Sequence, residues 1–140
     1  AMSLESILKT LKEYNPHRLV CLFGCGGNRS KERRFEMGEV SGKYADLTVI
    51  TSDNPRFEEP EAIIEDIKTG ISRTDGKHID IVDRKEAIKY VIEHGEPGDV
   101  IVLAGKGHED YQEIKGVKYP MDERVLISEV LDELKEKNVR

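Results

Sequence analysis

Short apolar runs alternate along the chain with stretches in which hydrophobic residues recur every three or four positions. Leu4, Ile7, Leu8 and Leu11 follow Ser3 at helical spacing, which predicts a helix capped by Ser3 and ended at Asn15-Pro16. Leu19 to Phe23 is a continuous apolar run followed by glycines, the pattern of a strand covered on both faces. Met37, Val40 and Tyr44 mark a second helix, whose Gly38 and Gly42 suit close packing at some cost in helix propensity. Leu47 to Ile50 is a second apolar run. Ile63, Ile64, Ile67 and Ile71 then stripe a third helix that opens with Pro60.

A third strand is expected over 78–82, where Ile79 and Ile81 alternate with polar residues. Ala87, Ile88, Val91 and Ile92 predict a fourth helix, ended by Gly95. The run over 100–104 is the most apolar strand of the chain and is expected to be the most buried. Gln112 to Tyr119 reads as a hairpin turning at Lys115-Gly116. Asp122 would cap a last helix carrying Ile127, Val130, Leu131 and Leu134.

Helices alternating with apolar strands imply an α/β fold. The expected form is a three-layer, Rossmann-like domain with a mostly parallel sheet and a C-terminal β-hairpin at one edge. The 140 residues suffice for one such domain with a real core. It is expected to run over 3–136, with Ala1 and Met2 left aside as an expression remnant.

Charge narrows the function. Lys plus Arg total 22 against 28 for Asp plus Glu, a formal net charge of -6. That balance argues against a nucleic-acid partner and against an anionic membrane surface. No apolar run approaches the roughly 20 residues that span a bilayer, and no charged-then-apolar leader opens the chain, so a cytoplasmic location is expected. Cys21 and Cys25 match neither a zinc set nor a redox pair. They read as a buried strand residue and a reduced loop thiol.

Three unusual segments each begin where an apolar run stops. They are Gly24-Cys25-Gly26-Gly27-Asn28-Arg29, Ser52-Asp53-Asn54-Pro55-Arg56 and Gly105-Lys106-Gly107-His108-Glu109-Asp110. If the strands are parallel, all three loops meet on the rim where open α/β sheets bind ligands. The first offers backbone N–H groups and the planar cation of Arg29. The second offers Arg56 on a turn stiffened by Pro55, with Asp53 and Asn54 as short acceptors. The third allows close backbone approach at Gly105 and supplies the Glu109 carboxylate. Two guanidiniums, two acids and an amide suit a zwitterion carrying both carboxylate and ammonium groups.

Each loop also has a plainer reading. Asp53 to Arg56 alone could be a turn whose arginine pairs with a surface acid, and His108 a hydrogen-bonded loop histidine rather than a catalyst. Lys106 is open between a phosphate contact and a solvated lysine. What raises the odds is the convergence of three loops. The sequence contains no Gly-x-x-x-x-Gly-Lys-Ser/Thr phosphate loop and no recognisable nucleophile set, so no catalytic residue and no metal ligand is assigned.

Gly24 to Arg29, Ser52 to Arg56 and Gly105 to Gln112 together resemble the carboxy-terminal domain of the MurE ligases of the Mur ligase family. These are the UDP-N-acetylmuramoyl-L-alanyl-D-glutamate–2,6-diaminopimelate ligases of peptidoglycan synthesis. The resemblance runs from Ser3 to about Leu134. It implies that an N-terminal UDP-sugar domain and a central ATPase domain are absent from this chain. It further implies that Arg29, Asn54, Arg56, Gly105 and Glu109 hold meso-diaminopimelate, with Asp53 and Pro55 completing the motif. Arg34 matches a family position near ATP. In the implied reaction, ATP with Mg2+ converts the D-glutamate side-chain carboxylate of the UDP-N-acetylmuramoyl-dipeptide into an acyl phosphate, which the diaminopimelate amine attacks.

A pocket built for the distal carboxylate would leave buried arginine groups unpaired with lysine, and the Asp-Asn-Pro-Arg form therefore favours diaminopimelate. The isolated domain is expected to be inactive. The alternatives are a lysine-adding or related Mur-type domain and a free-standing flavodoxin-like binding module. A receiver of the latter kind would want paired acids where this chain has glycines and Arg29.

Overall fold

The computed structural model describes residues 3–27, 30–104, 111–115, 117–120, 125, 127–129 and 131–132. The elements in chain order are α1 (Leu4–Lys12), β1 (Leu19–Phe23), α2 (Lys31–Tyr44), β2 (Leu47–Ile50) and α3 (Pro60–Ile71). They continue with β3 (Lys77–Asp80), α4 (Arg84–Glu93), β4 (Val100–Leu103), β5 (Tyr111–Ile114) and β6 (Val117–Pro120). Residues 125, 127–129 and 131–132 are helical, in the segment where a last helix is expected. Its expected cap Asp122, and Val130 and Leu134, lie outside the described residues.

Four strands form one sheet in the order β3-β2-β1-β4, every neighbouring pair parallel. Parallel neighbours need a crossover, and the helices between the strands supply it. β1 is central and all five of its residues are buried. Leu19, Cys21 and Phe23 face a cluster containing Leu8 of α1 and Ile63, Ile64, Ile67 and Ile71 of α3. Val20 and Leu22 face the opposite way, onto Ala87, Ile88 and Val91 of α4. The three layers expected from the sequence follow from this alternation.

Helices α2 and α3 approach at backbone distance. A Cβ on Gly38 would strike the Ile67 carbonyl oxygen, and one on Gly70 would strike that of Phe35. Each glycine forgoes about 1 kcal/mol of helix propensity relative to alanine, and the close packing needs both.

The structure corrects three expectations. β4, the most apolar run, is only half-buried along its length, and β1 is the most buried strand. The reason is position: among the described residues β4 is an edge strand with β1 on one side only. The third strand covers Lys77–Asp80 rather than 78–82. Beyond it the Val82 carbonyl accepts from the Ser52 amide and from the Thr51 and Ser52 hydroxyls, so the ladder gives way to loop contacts. The hairpin does turn at Lys115, with Ile114 opposite Val117, but among the described residues it makes a separate two-stranded sheet rather than extending the parallel one.

Both thiols are free and buried. Burial pushes the Cys21 thiol up to about 11 and the Cys25 thiol up to about 12, which leaves each inert at neutral pH.

Candidate functional site

Parallel pairing brings the carboxyl ends of β1, β2 and β4 to one level. Phe23 lies opposite Ile50, and Leu22 opposite Leu103. The ladders run one step further, with the Thr51 amide donating to the Phe23 carbonyl at 3.0 Å and the Ala104 amide to that of Leu22 at 2.9 Å. Gly24, Ser52 and Ala104 therefore leave the sheet on the same rim.

There the first two loops are stitched together. The Gly27 amide donates to the Asn54 carbonyl at 2.6 Å, and Arg56 returns a hydrogen bond from Nη1 to the Gly27 carbonyl at 3.0 Å. The same nitrogen lies 3.3 Å from the Asn54 carbonyl. A Cβ on Gly27 would overlap the Pro55 carbonyl, so this approach requires glycine. Arg56 adopts φ 53°, a left-handed conformation that costs a non-glycine residue about 1 kcal/mol or more. Asp53, Asn54 and Pro55 are buried beneath it.

Arg34, implied to approach ATP, is 1% exposed. Its Nη1 donates to Asp66 at 2.8 Å; its Nη2 donates to Glu58 and, at 3.2 Å, to the Gly26 carbonyl. It thus ties the first loop to α3 and to the segment after Arg56. Burial works against its charge, but the hydrogen bonds to Asp66 and Glu58 outweigh that and raise its pKa.

A cavity of about 170 Å³ opens between these loops, lined in part by Gly24, Gly26, Arg33, Asp53, Asn54 and Arg56. Among the described residues lining it are the guanidiniums of Arg33, Arg56 and Arg34, the last already paired with Asp66 and Glu58, and the carboxylate of Asp53. Such a wall favours an anionic group, a carboxylate above all. Asp53, Asn54 and Arg56 are thus gathered at one cavity with the glycine loop, and Pro55 is buried in the same loop. Arg29, Gly105, Lys106, His108 and Glu109 lie outside the described residues.

Sequence reading passed over two residues here. Arg33 lines the cavity, and no sequence motif singles it out. Arg84 is fully buried, with Nη1 2.9 Å from the Ser52 carbonyl and Nη2 3.4 Å from that of Ala104. The available signal was an arginine directly after the helix cap Asp83, where the helix dipole disfavours a cation.

A sequence profile described as "Mur ligase, glutamate ligase domain" matches residues 1–107. The chain belongs to the Mur ligase family. Among curated members, a UDP-N-acetylmuramoyl-L-alanyl-D-glutamate–2,6-diaminopimelate ligase of Aquifex aeolicus is 50% identical over 129 residues, covering 92% of this chain and 27% of the relative. A ligase with the same description from Caldanaerobacter subterraneus subsp. tengcongensis is 48% identical over 130 residues, 93% of this chain and 27% of the relative. A solved structure of a ligase so described superposes with a TM-score of 0.88 at 43% identity, covering 94% of this chain and 27% of that one. The chain therefore spans about a quarter of the length of these Mur ligases. Family membership sets aside the flavodoxin-like module and accords with the parallel α/β sheet.

Proposed function

We propose that this chain is the amino-acid-binding part of an ATP-dependent ligase that adds meso-diaminopimelate to UDP-N-acetylmuramoyl-L-alanyl-D-glutamate in peptidoglycan synthesis. The observation that carries the reading is the stitched pair of rim loops, which holds Asp53, Asn54 and Arg56 around a guanidinium-rich cavity. The relatives' names point the same way. Arg29, Gly105 and Glu109 would complete the set, with the arginines on the carboxylates and Glu109 on the distant ammonium.

The task of this chain would be positioning. Holding the diamino acid in one orientation aims its free amine at the activated carboxylate and removes much of the entropic part of the barrier. By itself the chain would turn over nothing. ATP and Mg2+ would be held mainly by parts of the ligase outside it. The one residue implied to approach ATP, Arg34, fits poorly, because both its terminal nitrogens already face protein oxygens. A nucleotide-sugar substrate and ATP would place the protein in the cytoplasm. Among the described residues no helix is long and apolar enough to cross a membrane.

Titration of the chain with meso-diaminopimelate and with lysine, followed by NMR, tests the reading. Diaminopimelate should shift the amides around Asn54 and Arg56 far more than lysine does, and Arg56→Ala should abolish the difference. An equal response to both amino acids, unchanged in Arg56→Ala, would falsify it.

A further inference from the structure

We propose that Arg33 is a ligand-binding residue of the rim cavity, its guanidinium gripping two oxygens of a carboxylate or phosphoryl group. The inference deepens the reading just given, which brings two such groups to this rim. One is a carboxylate of the diamino acid; the other is the phosphoryl group of ATP or of the acyl phosphate.

Helix α2 opens Lys31-Glu32-Arg33-Arg34, which sets three cations in its first turn. The helix dipole is positive at that end and disfavours each of them. Arg34 has an offset inside the protein, donating to Asp66, to Glu58 and to the Gly26 carbonyl. Arg33 has none. Among the described residues it has no ion-pair partner and no hydrogen-bond acceptor. Glu36, three residues further along α2, stands at a spacing that often pairs with an arginine. It lines instead a separate groove with Glu5 and Tyr44, between α1 and α2. Arg33 lines the rim cavity.

The rest of the wall points to the same guest. Arg56 Nη1 is directed at the Gly27 and Asn54 carbonyls, so part of that guanidinium holds the loops together. The Asp53 carboxylate lines the cavity too but forms no ion pair with Arg33, which leaves the Arg33 fork for an incoming group. Ser30 precedes α2 at the position where a serine hydroxyl ordinarily caps the helix, yet its side chain makes no capping hydrogen bond. It lines the cavity beside Arg33, so its hydroxyl can donate to the same guest. The planar fork of a guanidinium meets two oxygens of a carboxylate or phosphate at once, and a neutral or cationic group gives it no acceptor pair. On a chain of net charge -6, a local cation is what makes room for an anion.

NMR titration of the chain with meso-diaminopimelate and, separately, with inorganic phosphate makes the test, in the parent and in Arg33→Gln, Arg33→Lys and Arg56→Ala. At least one probe should shift the Arg33 Nε–H and Ser30 amide resonances, and Arg33→Gln should weaken its binding about tenfold or more. Arg33→Lys, which keeps the charge without the fork, should recover part of that loss. Arg33 holds nothing in the protein together, so Arg33→Gln should melt no lower than the parent. Weakened diaminopimelate binding assigns a substrate carboxylate to Arg33, and weakened phosphate binding alone assigns phosphoryl oxygens; either result upholds the subsite. A lower melting temperature with unchanged binding would overturn it, as would a parent in which neither probe moves Arg33 or Ser30. Should Arg56→Ala remove the diaminopimelate response while Arg33→Gln binds both probes like the parent, the subsite fails and the site reading stands. Should diaminopimelate and lysine act alike in the parent and in Arg56→Ala, the site reading fails, while phosphate binding lost in Arg33→Gln would still uphold the subsite.

Discussion

The Lys115 amide at the tip of the β5–β6 hairpin donates to the carbonyl of Arg56, and both residues are left-handed, at φ 51° and 53°. The hairpin is therefore fastened to the motif loop rather than to the parallel sheet. Lys115→Gly relieves the backbone strain and should stabilise the chain by up to about 1 kcal/mol. Lys115→Pro can neither adopt that φ nor donate the hydrogen bond. It should shift the resonances around Arg56 and lower the melting temperature. Unchanged Arg56 resonances in the proline variant would show that the contact is not held in solution.

Gly27→Ala places a methyl group on the Pro55 carbonyl. The two loops must then separate and the Gly27–Asn54 hydrogen bond is lost. The expected cost is about 1–3 kcal/mol, as for overpacking at other close contacts. Urea denaturation measures it, and a variant as stable as the parent would mean that the loops separate at no cost.

Arg34→Met leaves Asp66 and Glu58 without their buried partner. Removing one member of a buried pair costs roughly 3–5 kcal/mol, and the lower end applies because the two carboxylates keep side-chain exposures of 20% and 35%. Adding Asp66→Leu should return a substantial part of the loss. A single-variant cost below about 1 kcal/mol in urea would contradict the cross-tie.

The Arg18 guanidinium, donating to Asp99 at 2.7 Å, holds that carboxyl below its ordinary value of 3.8, against the opposing effect of burial. A depressed folded-state value means stability that is fully present above 3.8 and lost as pH falls through the folded value. Asp99→Asn should therefore lower the melting temperature at neutral pH, and the gap to the parent should close as pH drops below 3.8. A gap that stays constant through the acid range in calorimetry would exclude the linkage.

Much of the fold was legible because its signals are local. Ser3 does cap α1, accepting from the Ser6 amide, and the isoleucines of α3 do face the core. The rim could be foreseen because helical crossovers make the strands parallel, and parallel strands put their carboxyl ends together. What escaped is set by neighbours distant in sequence. The four residues of β4 are as apolar as any in the chain, yet an edge position leaves them half-buried. Ile114 and Val117 declare a hairpin, but nothing in them says that its partner is Arg56 rather than a sheet edge. Arg84 has no signature in the sequence, and two of its acceptors are backbone carbonyls, which leave no trace in residue identity.

The reciprocal contacts of Gly38 with Ile67 and of Gly70 with Phe35 interlock α2 and α3 like meshed gear teeth, so neither helix can slide along the other without a collision. The first rim loop leads into α2, and the second leads into α3. The two halves of the stitched site are thus borne by one interlocked helix pair. Loosening either glycine contact would therefore be felt at both loops at once.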